Sequence, residues 1–378
     1  MKKIAYWGPF IDNVASVKAI LNSSISINKY SKEFSSTILN AAGEWDSYKD
    51  KYQSNFYDLN KKSFINDLPK HSFAKSRWSY ILIILNSFFP LKNYISKCKP
   101  EYLIIHLITS LPIILFLIFK FDTKLCLRIS GLPKFNVFRK LLWKLSNNKI
   151  HKIFCPTIAT MEKLKLENIF DKNKLHYLPD PIISPSEIRK LKTDDIIDDK
   201  FENNNIILVG RLTKQKNFSL FIDAFEVISK LHPNIKANIF GDGELKEILI
   251  NKIKEKKLDN KIKLLGYKKN IFKYFSRSKY FLLSSLWEDP GFVLVEAGFS
   301  NITIISSNCP NGPEEILSYG KGGFIFKNND KESLIHVLNK ALSESESKLK
   351  EKKIICKKSI KKFSLFNHYK LIEKNLIQ

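Results

Sequence analysis

NIILVGRLTKQKNFSLFIDAFEVISK (205–230) is the stretch on which the reading of the fold turns. A short β-branched run stops at Gly210, a cation-rich loop follows, and apolar residues then recur at helical spacing from Phe218. Strand, loop and helix in this order make half of a βαβ unit. The unit repeats downstream as strand 235–241, helix 244–258, strand 261–266, helix 271–278, strand 279–285, helix 292–300 and strand 302–307. Upstream it recurs less regularly, as strands 2–8, 34–40, 102–107, 123–130, 152–157 and 175–180 with helices 13–31, 78–97, 111–119, 138–146 and 159–167 between them. Strands alternating with helices predict α/β architecture with doubly wound parallel sheets.

At 378 residues the chain is too long for one ordinary domain, and long enough to bury two cores without disulfides or metal. Residues 179–203 hold three prolines and then an acidic, polar run, which marks the boundary. Two α/β domains in tandem would face a central cleft, with ligands at the carboxyl ends of the strands. Residues 41–77 are polar and aromatic without a period and read as a long loop on the active face. YLIIHLITSLPIILFLIF (102–119) is apolar enough to suggest a membrane span. Split at Thr109-Ser110 it fits the surrounding rhythm better: a buried strand, then a helix with Ser110 as N-cap and Pro112 in its first turn. MKKIAYWGPF (1–10) reads as a first strand rather than a signal peptide, because its apolar run is short and ends in Gly-Pro.

Sixty-three Lys and Arg against 37 Asp and Glu give a net charge of +26, and residues 1–190 carry +16 of it. Such a surface attracts polyanions: nucleic acid, anionic lipid or phosphorylated substrates. The lysines are scattered, so composition alone also accounts for them. Five cysteines form no C-x-x-C pair and no metal-ligand spacing, which points to reduced thiols in the cytosol.

The chemistry gathers at strand ends of the second half. After Gly210 come Arg211 and Lys216. Fixed cations there suit a diphosphate, with Arg binding two oxygens and Lys supplying a point charge; a solvated basic loop is the plainer reading. The loop lacks the second Gly and Lys-Ser/Thr pair of a P-loop. Gly241-Asp242-Gly243-Glu244 comes next, where glycines permit a tight turn and close approach of a ligand. The third piece is SLWEDPGFVLVEA (285–297). Pro290 and Gly291 start a helix whose first N–H groups, at Gly291, Phe292, Val293 and Leu294, present a positive dipole end to a phosphate. Glu288 before that helix and Glu296 inside it suit hydroxyl recognition, although Glu296 could equally be a surface residue.

Taken together and in this order, the three pieces resemble the nucleotide-sugar domain of retaining GT-B glycosyltransferases, the group 1 family that builds bacterial capsule, lipopolysaccharide and related glycans. The resemblance covers most of 205–330, and SSNCPNGPEEI (306–316), with Gly312 and Glu315, resembles the loop that comes after. It implies two Rossmann-like domains. It also implies that Arg211 and Lys216 hold the donor diphosphate, Glu296 the ribose and Glu288 the sugar, with Gly210, Gly241, Gly243 and residues 291–294 around the donor. By the same resemblance His106 ends a buried strand near the donor sugar; a core histidine is the alternative. On the acceptor side stand Asn13 and Ser16, after Gly8-Pro9-Phe10, with Ala15 where such proteins often carry Gly, then Glu44 and Arg128, for which a structural salt bridge is an equal reading. The division expected is 1–183 for the acceptor domain, 184–203 for a linker, 204–349 for the donor domain and 350–378 for a helix crossing back.

The resemblance further implies sugar transfer with net retention from a nucleoside-diphosphate sugar, UDP or GDP, to a lipid-linked or other membrane-bound glycan. No D-x-D occurs, so no metal and no cofactor is expected; the cations and the helix dipole would stabilise the leaving diphosphate. The expected place is the cytoplasm, peripheral to the inner membrane face, favoured by the basic first half and the apolar 78–97 and 102–119 segments, with Lys92, Lys97 and Lys99 as contact. The other readings are an epimerase or phosphorylase of the same architecture, which the Glu288/Glu296 spacing disfavours, and a non-enzymatic membrane- or nucleic-acid-binding protein. No nucleic-acid motif is present.

Overall fold

Lys2–Trp7 (β1) buries every residue from Ile4 to Trp7, the two-sided burial of a central strand in a parallel sheet. Ala5 and Trp7 enter one apolar cluster, Ile4 and Tyr6 the other, as the two-residue period of a strand requires. The computed structural model describes residues 1–11, 15–52, 55–69, 73–131, 133, 135–182, 184–195, 201 and 205–377. Around β1 lie Phe34–Asn40 (β2), Asn55–Asp58 (β3), Tyr102–Ile105 (β4), Lys124–Arg128 (β5), Ile150–Cys155 (β6) and Leu175–Tyr177 (β7). All pair in parallel in the order β3-β2-β1-β4-β5-β6-β7.

The second sheet holds Ile206–Val209 (β8), Ala237–Phe240 (β9), Ile262–Leu264 (β10), Tyr280–Leu283 (β11), Thr303–Ser307 (β12) and Phe324–Phe326 (β13). It is parallel as well, in the order β10-β9-β8-β11-β12-β13. Each sheet reverses its strand order once, between β1 and β4 and between β8 and β11. Such switch points open a crevice at the carboxyl ends of the strands.

The chain divides into Met1–Ile182 with Leu365–Gln378, and Ile183–Ser364. Several expectations change in detail. The stretch read as a linker contains the helix Pro185–Thr193, which packs on Phe272–Phe275 in the second unit. The terminal stretch is two helices rather than one. Glu346–Ile360 lies on Phe292–Phe299, and Leu365–Ile377 alone returns, packing on Ala15–Tyr30. Residues 41–77 are not all loop, since they supply a short helix, Asp46–Lys49, and the edge strand β3. The apolar 102–119 stretch is β4 plus the helix Ser110–Ile118, whose N-cap is Thr109 rather than Ser110. Among the described residues no helix is long and apolar enough to cross a membrane. The five cysteines are free.

Candidate active site

In the second unit, β8 and β11 end side by side at the switch point, and the loops beyond them are stitched together. Leu286 donates its N–H to the Gln215 carbonyl at 2.8 Å, and the Ser284 hydroxyl bonds the Lys216 carbonyl at 2.8 Å. This fixes the turn Lys214–Lys216 beneath the run 284–288. Lys216 lays its aliphatic stem over Gly210, where a Cβ would meet three of its carbons at 3.1 Å. Its Nζ then reaches Glu288 Oε1 at 2.6 Å. The same oxygen accepts the Ser285 hydroxyl at 2.5 Å. Both partners are shielded, with side chains 14% and 6% exposed. The family resemblance implies a diphosphate for Lys216 and a sugar for Glu288; in the free protein the two pair with each other.

Arg211 in the same loop is exposed, and no described residue holds its guanidinium. Close to it the Thr213 hydroxyl is buried without a partner. Gly241 and Gly243 are required by contact as well as by backbone. They take φ of +145° and +157°, and a Cβ would stand 1.8 Å from the Gly210 carbonyl oxygen and 2.6 Å from that of Leu212. The β8 and β9 loops can approach this closely only through glycine. Gly291, at φ +93°, caps the helix Phe292–Phe299 and rests on the Glu288 side chain, 3.4 Å from Cγ to a would-be Cβ. Leu294 bonds back to the Gly291 carbonyl, and the N–H groups of Phe292 and Val293 bond no described residue. A cation, a carboxylate and the positive end of a helix therefore meet at one strand-end crevice. Glu296 is half-buried in that helix. Ser284, Ser285 and Thr213 escaped sequence reading, although Ser284-Ser285 at the end of an apolar run was an available signal.

In the first unit His106 follows β4 at the other switch point and donates its backbone N–H to Trp7 at 2.8 Å. The ring is buried against Tyr6, and its Nε2 has no partner. Burial, with the Arg128 charge and His368 adding to it, holds the imidazole well below its usual pKa, so it is neutral near pH 7. Ser16 lies half-buried at the start of Ala15–Tyr30, while Asn13 lies outside the described residues.

Two of the acceptor-side residues, Arg128 and Glu44, are engaged inside the first unit. Arg128 is 2% exposed and bonds Asp180 through Nε at 3.1 Å and through its terminal nitrogen. One terminal nitrogen donates to the Ile129 and Phe154 carbonyls at 2.9 and 3.0 Å, so each of the three guanidinium nitrogens is bonded within the fold. Glu44 turns inward and accepts the Ala41 and Ala42 N–H groups at 3.1 and 2.7 Å, closing the loop after β2. Burial, partly offset by these bonds, raises its carboxyl to about 7.

The returning helix completes this cluster. His368 Nδ1 lies 2.9 Å from the Pro179 carbonyl, so it carries the proton and Nε2 accepts from Ser23 at 2.7 Å. Tyr6 then donates to Ser23 at 2.8 Å. Burial lowers His368 to about 3. A histidine neutral when folded and protonatable when unfolded binds fewer protons in the native state between pH 6.5 and 3, so stability is lost as the pH is lowered through that window. His368→Gln should flatten the plot of urea midpoint against pH by up to about 1.4 kcal/mol per unit. Parallel curves for the two proteins would show that His368 titrates freely.

Residues 192–358 match the family described as Glycosyl transferases group 1. The match to group 1 glycosyltransferases spans nearly all of the second unit. An uncharacterized glycosyltransferase of Methanocaldococcus jannaschii is 33% identical over 217 residues, 54% of this chain and 51% of its own. An alpha-1,4-N-acetyl-D-galactosaminyltransferase of Campylobacter jejuni, named for a diNAcBac-PP-undecaprenol glycan, is 26% identical over 76% of this chain and 78% of its own. The chain spans about half the length of the first of the curated relatives it matches. HepE of Anabaena, solved in complex with UDP, superposes over all of both chains with a TM-score of 0.73 at 15% identity. That likeness gives the fold, two parallel α/β units of the GT-B class. Lys216, Glu288 and the Gly291 helix start all fall inside the matched residues.

Proposed function

We propose that the protein is a retaining glycosyltransferase that moves a sugar from a UDP- or GDP-linked donor to a lipid-linked glycan at the inner membrane face, in bacterial surface polysaccharide synthesis. The observation that carries this reading is the Lys216–Glu288 pair at the β8/β11 switch point of the residues that match group 1, beside the open start of the Phe292–Phe299 helix. Arriving diphosphate draws Lys216 from Glu288 and adds Arg211 and the helix N–H groups to its ligands. Released, Glu288 accepts hydroxyls of the sugar. The leaving diphosphate then departs into fixed positive charge, with neither metal nor other cofactor required. The acceptor attacks on the face the diphosphate leaves, which retains configuration. The UDP of the Anabaena structure and the undecaprenol in the Campylobacter name support the donor and acceptor classes.

The test begins with unfolding midpoints in UDP, GDP, ADP and CMP. At a hundred times its Kd, one diphosphate should add about 2.7 kcal/mol and raise the midpoint by about 5 °C or more. Transfer from the matching sugar donor to an undecaprenyl-diphosphate glycan, with the product anomer read by NMR, completes it. No shift with any nucleotide, or a product of inverted configuration, would sink the reading.

A further inference from the structure

The helices Phe73–Cys98, Ser110–Ile118 and Val137–Ser146 pack in succession on one face of the first sheet. Their inner sides supply core residues such as Ile83, Leu111 and Trp143. Their outer sides are also apolar. Trp78, Ile81, Leu85 and Phe89 recur at helical spacing on the first helix and are exposed. Ile118 continues the patch on the second. On the third, Val137, Phe138, Leu141 and Leu145 form one arc, with Val137 84% and Phe138 68% exposed. A patch of this extent on a folded chain marks a contact surface.

Charge decides what it contacts. The three helices together carry seven Lys and Arg. None of the three helices contains Asp or Glu. Lys97, Lys120 and Lys144 are exposed and form no ion pair with a described residue. Lys92, by contrast, lies over the Phe119 ring at 4.6 Å. Apolar residues ringed by unpaired cations match a layer whose surface is anionic and whose interior is apolar.

We infer that this three-helix face is the surface on which the protein lies against anionic lipid, with Phe138, Leu141, Leu85 and Phe89 entering the headgroup–acyl boundary. The inference rests on the proposed function and deepens its membrane side: β4 is wholly buried, so of the apolar 102–119 stretch only the end of Ser110–Ile118 takes part, and the helix Val137–Ser146 joins the expected 78–97 segment.

Flotation with vesicles of pure phosphatidylcholine and of an equimolar phosphatidylcholine–phosphatidylglycerol mixture tests it on the full chain. Binding is expected to the mixture only, reduced but not abolished by high salt. Phe138→Glu/Leu141→Glu, both on exposed positions, should weaken it by roughly a hundredfold. Lys97→Glu/Lys120→Glu/Lys144→Glu should cost roughly fivefold per site. The nucleotide-induced midpoint shift of the second unit should be unchanged in both variants, so failure here and failure of the donor reading are separable. No binding to the mixture, equal binding by the Phe138→Glu/Leu141→Glu variant, or a concentration-dependent dimer by light scattering that this variant dissolves, would overturn the inference.

Discussion

Lys216→Met is expected to lower sugar transfer by about 100- to 1,000-fold, because it removes the one shielded cation positioned for the leaving diphosphate. It should also destabilise the second unit. With Lys216 gone, Glu288 is left 5% exposed with Ser285 as its remaining donor. Removing one partner of a buried pair costs about 3 kcal/mol or more, which at this size lowers the midpoint by about 6–12 °C. Glu288→Gln in the Lys216→Met background should recover most of that loss, since no uncompensated charge remains. Glu288→Gln alone separates binding from chemistry. Lys216 loses its internal competitor, so UDP or GDP should bind more tightly, roughly tenfold if the pair is worth 1.4 kcal/mol in the free protein. Transfer should nonetheless fall, because the carboxylate facing the sugar is gone. A Glu288→Gln variant that binds nucleotide more weakly would mean that Glu288 and Lys216 are not exchanging partners when the donor arrives.

The alternation of strand and helix was legible because both sheets are parallel and buried on both faces, so their strands read as near-continuous apolar runs such as Tyr102–Ile105 and Tyr280–Leu283. β3 and β13 were missed for opposite reasons. Asn55–Asp58 is a four-residue edge strand with exposed polar ends, and Phe324–Phe326 is too short to show a period. The second unit's site was legible as residue types at strand ends, since Gly210, Gly241 and Gly291 announce turns. Its pairing was not, because nothing in a sequence separation of 72 residues says that Lys216 and Glu288 touch. The first unit's polar cluster was the least legible. His368 lies 345 residues from Ser23, and only the fold brings the last helix against the first.

That same cluster makes the second large prediction. An arginine at a strand end facing a switch point has the look of a ligand-binding cation, yet this one is held by Asp180 and two carbonyls. Arg128→Met should cost about 3–5 kcal/mol and drop the unfolding midpoint of the first unit by about 10 °C or more. The sign of its pH dependence is fixed by Asp180, whose carboxyl burial already pushes upward against the pull of Arg128. Without the guanidinium that push is unopposed, and the folded state holds a proton the unfolded one releases. The deficit should therefore be smaller at pH 5 than at pH 8. Arg128→Met/Asp180→Leu removes both charges and should return to within about 2 kcal/mol of the parent, since an apolar replacement of a buried pair is often neutral. If Arg128→Met instead unfolds like the parent and raises only the acceptor KM, then Arg128 reaches substrate and its bond to Asp180 is not what holds the β5 and β7 ends together. A buried guanidinium whose three nitrogens are all bonded within the fold argues for the first result.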